Sequence, residues 1–76
     1  MHDTSPRIVV YTRKGCHLCD EAINLLRQYG LRPDMVDIDT DGQLTELYDH
    51  CVPVVEMDGK VRFRGRVNKV LLERLL

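Results

Sequence analysis

The sequence predicts an α/β domain with the element order β-α-β-α-β-β-α, and three observations carry that prediction. An apolar, β-branched run from Ile8 to Thr12 is followed at once by residues that repeat at helical spacing from Cys16. The same order, extended stretch then helical period, recurs between Met35 and Cys51. An Asp58-Gly59 pair then joins two further extended stretches ahead of a last apolar-periodic segment. With 76 residues the chain is too short for a second domain, so 1–76 is read as one unit in which 1–6 form a flexible tail.

Each element has a local reason. Ile8-Val9-Val10-Tyr11-Thr12, bounded by Pro6 and Gly15, is β-branched and aromatic without alternation, the composition of a central, buried strand. From Cys16 onward Leu18, Ala22, Leu25, Leu26 and Tyr29 share one helical face. Asp20 and Glu21 fall in its first turn, where the dipole favours acids, and Gly30 is placed to end it. Met35 to Asp39 alternates, so Val36 and Ile38 are expected on the core beside the first strand. Thr40 and Gln43 have the spacing of a capping box for a second helix, with Leu44, Leu47, Tyr48 and Cys51 on its inner face and Pro53 beyond its end. Val52 to Met57 and Lys60 to Arg64 form a hairpin with Val61 and Phe63 inward and Arg62 and Arg64 outward. Val67, Val70, Leu71 and Leu75 mark the inner face of a third helix.

Composition excludes several classes of function. Hydrophobic residues at 43% and charged residues at 30% are the balance of a chain that packs a core. The longest apolar run, Ile8 to Tyr11, is far short of the roughly 20 residues that cross a bilayer. Met1 to Pro6 has no apolar segment of a signal peptide, so a cytoplasmic protein with no membrane partner is expected. Three cysteines cannot all pair within one chain and do not form the framework of a small secreted domain. The net charge of -1 conceals segregation: +2 over residues 1–32, -8 over 33–59 and +5 over 60–76. Bases mixed with so many acids argue against a nucleic-acid partner, and Lys60, Arg62, Arg64 and Arg66 read as a solvated strand edge.

The chemistry concentrates in Cys16-His17-Leu18-Cys19, at the junction of a strand and a helix. Positions i and i+3 of a helix face the same way, and a small adjustment brings two sulfurs there within bonding reach. A sulfur in the first turn lies near unpaired N–H groups and the positive end of the dipole, which favours thiolate over thiol. Cys16 is therefore the expected nucleophile, with Arg13, Lys14 and His17 adding positive charge. Cys19, one turn deeper, is the expected resolving thiol. The same spacing is half of a zinc or iron–sulfur site, so a metal carrier or a non-catalytic binding module is the alternative function. Asp20 after Cys19 excludes the haem-attachment pattern. Cys51 has two readings, a buried hydrophobe or a third redox thiol. His17 has two as well, a group supporting the thiolate or an exposed residue at a helix start. Tyr11 fits packing at a strand end better than a role in the site.

Tyr11-Thr12-Arg13-Lys14-Gly15-Cys16-His17-Leu18-Cys19 followed by a helix resembles the active-site segment of glutaredoxins, and Val52-Pro53-Val54-Val55 resembles their second signature. More narrowly, the chain is similar to short glutaredoxin-like proteins of mostly unassigned substrate. The resemblance implies a thioredoxin fold in its minimal glutaredoxin form, a four-stranded mixed sheet flanked by three helices. It also implies a thiol-disulfide oxidoreductase in which the Cys16/Cys19 dithiol carries electrons in cell redox homeostasis, acting as a monomer on a protein or low-molecular-weight disulfide. No cofactor or metal is expected to be bound, and a reductase or glutathione is the expected electron donor. The resemblance further implies a cis Val52-Pro53 bond facing the cysteines, the Val52 backbone pairing with substrate, and Gly65 on the substrate side. Two departures are visible. His17-Leu18 replaces Pro-Tyr between the cysteines, and Arg66 stands where glutaredoxins hold the glutathione amino group with an acid. The second removes a partner for glutathione and supplies one for carboxylates.

Overall fold

A computed structural model describes residues 6–76. The tail expected over 1–6 lies outside the described residues apart from Pro6, which is half-buried. The elements are β1 (Ile8–Thr12), α1 (His17–Gln28), β2 (Asp34–Asp37), a 3₁₀ turn (Ile38–Thr40), α2 (Gly42–Tyr48), β3 (Val54–Met57), β4 (Lys60–Arg64) and α3 (Lys69–Leu75). The strands form one mixed sheet in the order β2-β1-β3-β4. β1 runs parallel to β2 and antiparallel to β3, which is antiparallel to β4. This is the expected order of elements with three helices on a four-stranded mixed sheet. Among the described residues no helix is long and apolar enough to cross a membrane.

The two faces of the sheet bury different sets of residues. On one, Ile8, Val10, Val55, Met57 and Phe63 lie under Ile23 and Leu26 of α1 and Leu72 of α3. On the other, Val54 packs with Ile38 and Tyr48, joined by Tyr11, Leu44 and Cys51. α1 ends as its glycine implies. Gly30 adopts φ +75°, its N–H donates to the Arg27 carbonyl at 2.9 Å, and the Leu31 N–H reaches back to Leu26 at 3.2 Å. These two bonds satisfy carbonyls that the helix end leaves open. The β3-β4 turn has positive φ at both Asp58 (52°) and Gly59 (83°), as a primed hairpin turn requires.

Five local expectations are corrected. β2 stops at Asp37, so Val36 is only half-buried, whereas Ile38 reaches the core from the 3₁₀ turn. That turn absorbs Thr40, whose hydroxyl donates to the Asp37 carbonyl at 2.7 Å. The cap of α2 is instead Asp41, which accepts from the Gln43 N–H at 2.9 Å. Leu47 is 65% exposed, because the seven residues of α2 present only Tyr48 and Leu44 to the sheet, and Cys51 follows in a turn. In β4 the pairs Val55–Phe63 and Glu56–Val61 leave Arg62 as an extra residue. A bulge of this kind reverses the alternation. Phe63 stays in the core and Val61 falls on the opposite, open face. Of the inner face expected for the last helix, only Val67, just before α3, packs against the core: Val70, Leu71 and Leu75 are exposed, and the buried residue of α3 is Leu72.

Candidate active site

Strand register brings four segments to one end of the sheet. Tyr11 pairs with Val54, so the start of β3 lies beside the end of β1. Thr12 pairs with Asp37 at the end of β2, and Arg64 pairs with Val54 at the end of β4. The loop Arg13–Cys16, the turn after β2, the segment Cys51–Pro53 and the Gly65 turn therefore share one rim. The Gly65 N–H, at φ +84°, donates to the carbonyls of both Cys51 (2.9 Å) and Pro53 (2.8 Å), tying two of these segments together. The Val52-Pro53 bond is cis. Pro53 is buried and Val52 half-buried, and the Val52 peptide groups have no hydrogen-bond partner among the described residues.

Cys16 and Cys19 are joined as a disulfide, with Cα atoms 5.2 Å apart. Cys16 is the N-cap of α1 in extended conformation, and its Sγ accepts from the Cys19 N–H at 3.1 Å. A sulfur so placed receives the hydrogen bond and the positive helix end that stabilise a thiolate. Cys19 has no exposed surface while Cys16 is half-buried, so an incoming group reaches Cys16. The geometry supplies one accessible, electrostatically favoured sulfur and one buried neighbour able to displace what it binds.

Of the three bases next to the pair, only Lys14 is without a carboxylate partner among the described residues. Arg13 grips Asp39 in fork geometry (Nε–Oδ2 3.1 Å, Nη2–Oδ1 2.6 Å) and also donates to the side chain (2.8 Å) and carbonyl (2.9 Å) of Asp49. Its charge is answered by two carboxylates. Its effect is to tie the Cys16 loop to the 3₁₀ turn and to the residues leading into Val52. His17 is 87% exposed and faces Glu21 at 3.5 Å, the arrangement of a solvated helix-start residue. Cys51 packs with the Ile38, Tyr48 and Val54 cluster, a hydrophobe's position. Tyr11 lies 5.0 Å from Tyr48, ring to ring, and burial first, then the nearby Glu56 carboxylate, raise its hydroxyl pKa. Asp39 and Asp49 are the residues that sequence reasoning missed. The hint is a segment with eight acids and no base, whose partner must come from elsewhere. Among the described residues no three of His, Cys, Asp and Glu cluster as a metal-ligand set.

The Arg13 clamp has a pH signature. Hydrogen bonds from Arg13 hold the Asp39 carboxyl below its usual 3.8. A carboxyl depressed in the folded state adds stability in full above that value and loses it as pH falls through the lower, folded-state value. The melting temperature of the wild type should therefore exceed that of Asp39→Asn by a constant margin from neutral pH down to about 4, and the margin should close below it. Thermal melts between pH 7 and 2 check this; a margin that persists at the acid end would assign the loss to something other than charge.

A four-stranded mixed sheet with three helices and a cysteine pair opening the first of them defines a thioredoxin-type fold of the glutaredoxin kind. The family model of the glutaredoxin-like domain (DUF836) matches residues 7–76, and the chain belongs to that family. It is similar to a protein of Nitrosomonas europaea solved by NMR, at 30% identity over 100% of this chain and 99% of that one, with a TM-score of 0.82. It is also similar to a protein of X. campestris, at 30% identity over 90% and 92% of the two chains, with a TM-score of 0.77. Glutaredoxin C1 of Populus tremula x tremuloides, in its holo form, shares the fold at 22% identity over 90% and 73%, with a TM-score of 0.67.

Proposed function

We propose that the protein is a thiol-disulfide oxidoreductase that works through the Cys16/Cys19 dithiol. The observation that carries this reading is the accessible Cys16 sulfur at the start of α1, bonded to a fully buried Cys19 one turn away. In the reduced protein the Cys16 thiolate attacks one sulfur of a substrate disulfide. A Cys16–substrate S–S bond forms, the substrate S–S bond breaks, and the departing thiolate takes a proton from solvent. The Cys19 thiolate then attacks Cys16 Sγ, releasing the second substrate thiol and closing the Cys16–Cys19 bond. Two electrons have passed to the substrate. An external dithiol, or two monothiols such as glutathione, must return them, and the cycle uses no resident cofactor.

The unpartnered peptide groups of Val52 support a role in holding an extended substrate segment as an added strand. Pro53 and Gly65 border that position, Lys14 stands in the loop before Cys16, and His17 lies at the solvent side of the pair. Arg13 acts at one remove, through the loop it clamps. A Cys19→Ser variant tests the reaction. Incubated with a disulfide substrate, it should accumulate one mixed disulfide per chain at Cys16, seen as a mass increase that dithiothreitol removes, whereas wild type accumulates none. An unmodified mass with Cys16 still open to alkylation would end this reading.

A further inference from the structure

We infer that the disulfide this site exchanges belongs to an acidic peptide segment, whose carboxylates meet Arg64 and Arg66. The inference rests on the exchange reading above and concerns what the rim of that site selects. On the α2 side the rim carboxylates already have partners: Asp39 and Asp49 hold Arg13, Asp49 also lies 3.2 Å from His50, and Asp37 accepts from the Asp39 N–H at 2.9 Å. On the β4 side the opposite holds. Arg64 and Arg66 are exposed, and neither has a carboxylate within 4.0 Å among the described residues. They flank Gly65, whose N–H is bonded to the carbonyls on either side of Val52, so both bases are anchored to the proposed strand-pairing position.

Arg66 also lines a groove with Leu18, one of the two residues between the cysteines, and with Leu25 two helical turns further on. The acid in that groove, Glu21, faces His17. Lys14 adds a third unpaired cation beside Cys16. An extended segment lying along Val52 would thus meet two exposed, unpaired arginines on the β4 side and Lys14 in the loop before Cys16. The α2 flank, where Asp37, Asp39 and Asp49 outnumber Arg13, has its carboxylates engaged with partners of their own. Opposite charges across such a surface speed encounter and fix register more than they deepen affinity, and the effect fades with salt.

The test is a series of peptides of one sequence, bearing a disulfide flanked by Asp and Glu, by Ser, or by Lys and Arg. At low ionic strength kcat/KM should be at least about tenfold higher for the acidic than for the basic member, with the neutral one between, and the spread should shrink on adding salt. The double variant Arg64→Glu, Arg66→Glu should invert the order. Equal rates across the series in wild type, or an order that the double variant leaves in place, would overturn the inference while leaving exchange itself intact. Turnover of none of the three would sink the exchange reading, and the surface would then be judged by binding alone. In that second measurement peptides with serine for cysteine are titrated into the oxidised protein. The acidic peptide should move the amide resonances of Gly65 to Asn68 more than the basic one does; equal or reversed shifts would overturn the inference.

Discussion

Cys16→Ser should lower turnover of any disulfide by at least about a thousandfold, because the variant loses the group that forms the covalent intermediate and a hydroxyl is not ionised at neutral pH. The substitution isolates chemistry from folding. Cys16 is an N-cap, serine is among the best residues for that position, and its Oγ can accept from the Cys19 N–H as Sγ does. The variant should therefore melt like the reduced wild type while being inert. The cause of reactivity can be measured separately in a chain whose only cysteine is Cys16, made with Cys19→Ser and Cys51→Ser. Its alkylation rate should rise with pH around a midpoint below the roughly 8.5 of a free thiol, as sulfurs at helix starts do. Turnover surviving in Cys16→Ser would move the nucleophile to another sulfur. A midpoint at the free-thiol value would show that the helix start does not activate it.

The parts of this molecule that depend on neighbours in sequence are legible there. The Ile8–Thr12 run, the α1 stripe ending at Gly30, the Asp58-Gly59 turn and the cysteine pair each rest on a few adjacent residues, and each stands where expected. What depends on distant partners is not. A basic residue three positions before Cys16 looks like a thiolate stabiliser until the fold brings Asp39 and Asp49 to it, from 26 and 36 residues away. The carboxylates then answer the charge, and the residue becomes a strut. Val61 and Phe63 fit one face by period, but the extra residue at Arg62 appears only through the pairing of β4 with β3. Thr40-Gln43 satisfies the capping-box spacing, yet the Asp37 carbonyl takes the threonine hydroxyl first and Asp41 supplies the cap. In each case a pattern compatible with two structures was decided by a contact outside the window in which the pattern was read.

α3 is the sharpest instance, and it leads to the largest expected effect on stability. Leu72→Ala should destabilise the protein by about 2–5 kcal/mol, the range for a fully buried leucine whose site cannot collapse. A domain of this size holds only about 4–11 kcal/mol in total, so the melting temperature should fall by about 10–30 °C. Leu71→Ala, at a residue 47% exposed, should change stability by no more than about 0.5 kcal/mol. The sequence pattern alone argues for the reverse, since Val67, Leu71 and Leu75 repeat every fourth residue. A helix of seven residues, Lys69–Leu75, makes barely two turns and cannot settle its own orientation by periodicity. That is set from outside. Gly65 is pinned to the Cys51 and Pro53 carbonyls, and Asn68 caps the helix by accepting from the N–H groups of Val70 (2.9 Å) and Leu71 (3.1 Å). At the far end Glu73 accepts a hydrogen bond from the hydroxyl of Tyr29, the C-cap of α1. With both ends held, Leu72 points into the cluster of Val10, Leu26 and Phe63. Thermal melts of the two single variants decide between the faces. A Leu71→Ala loss as large as that of Leu72→Ala would mean that α3 is rotated, with the Gly65 turn carried away from the place it holds at the rim of the site.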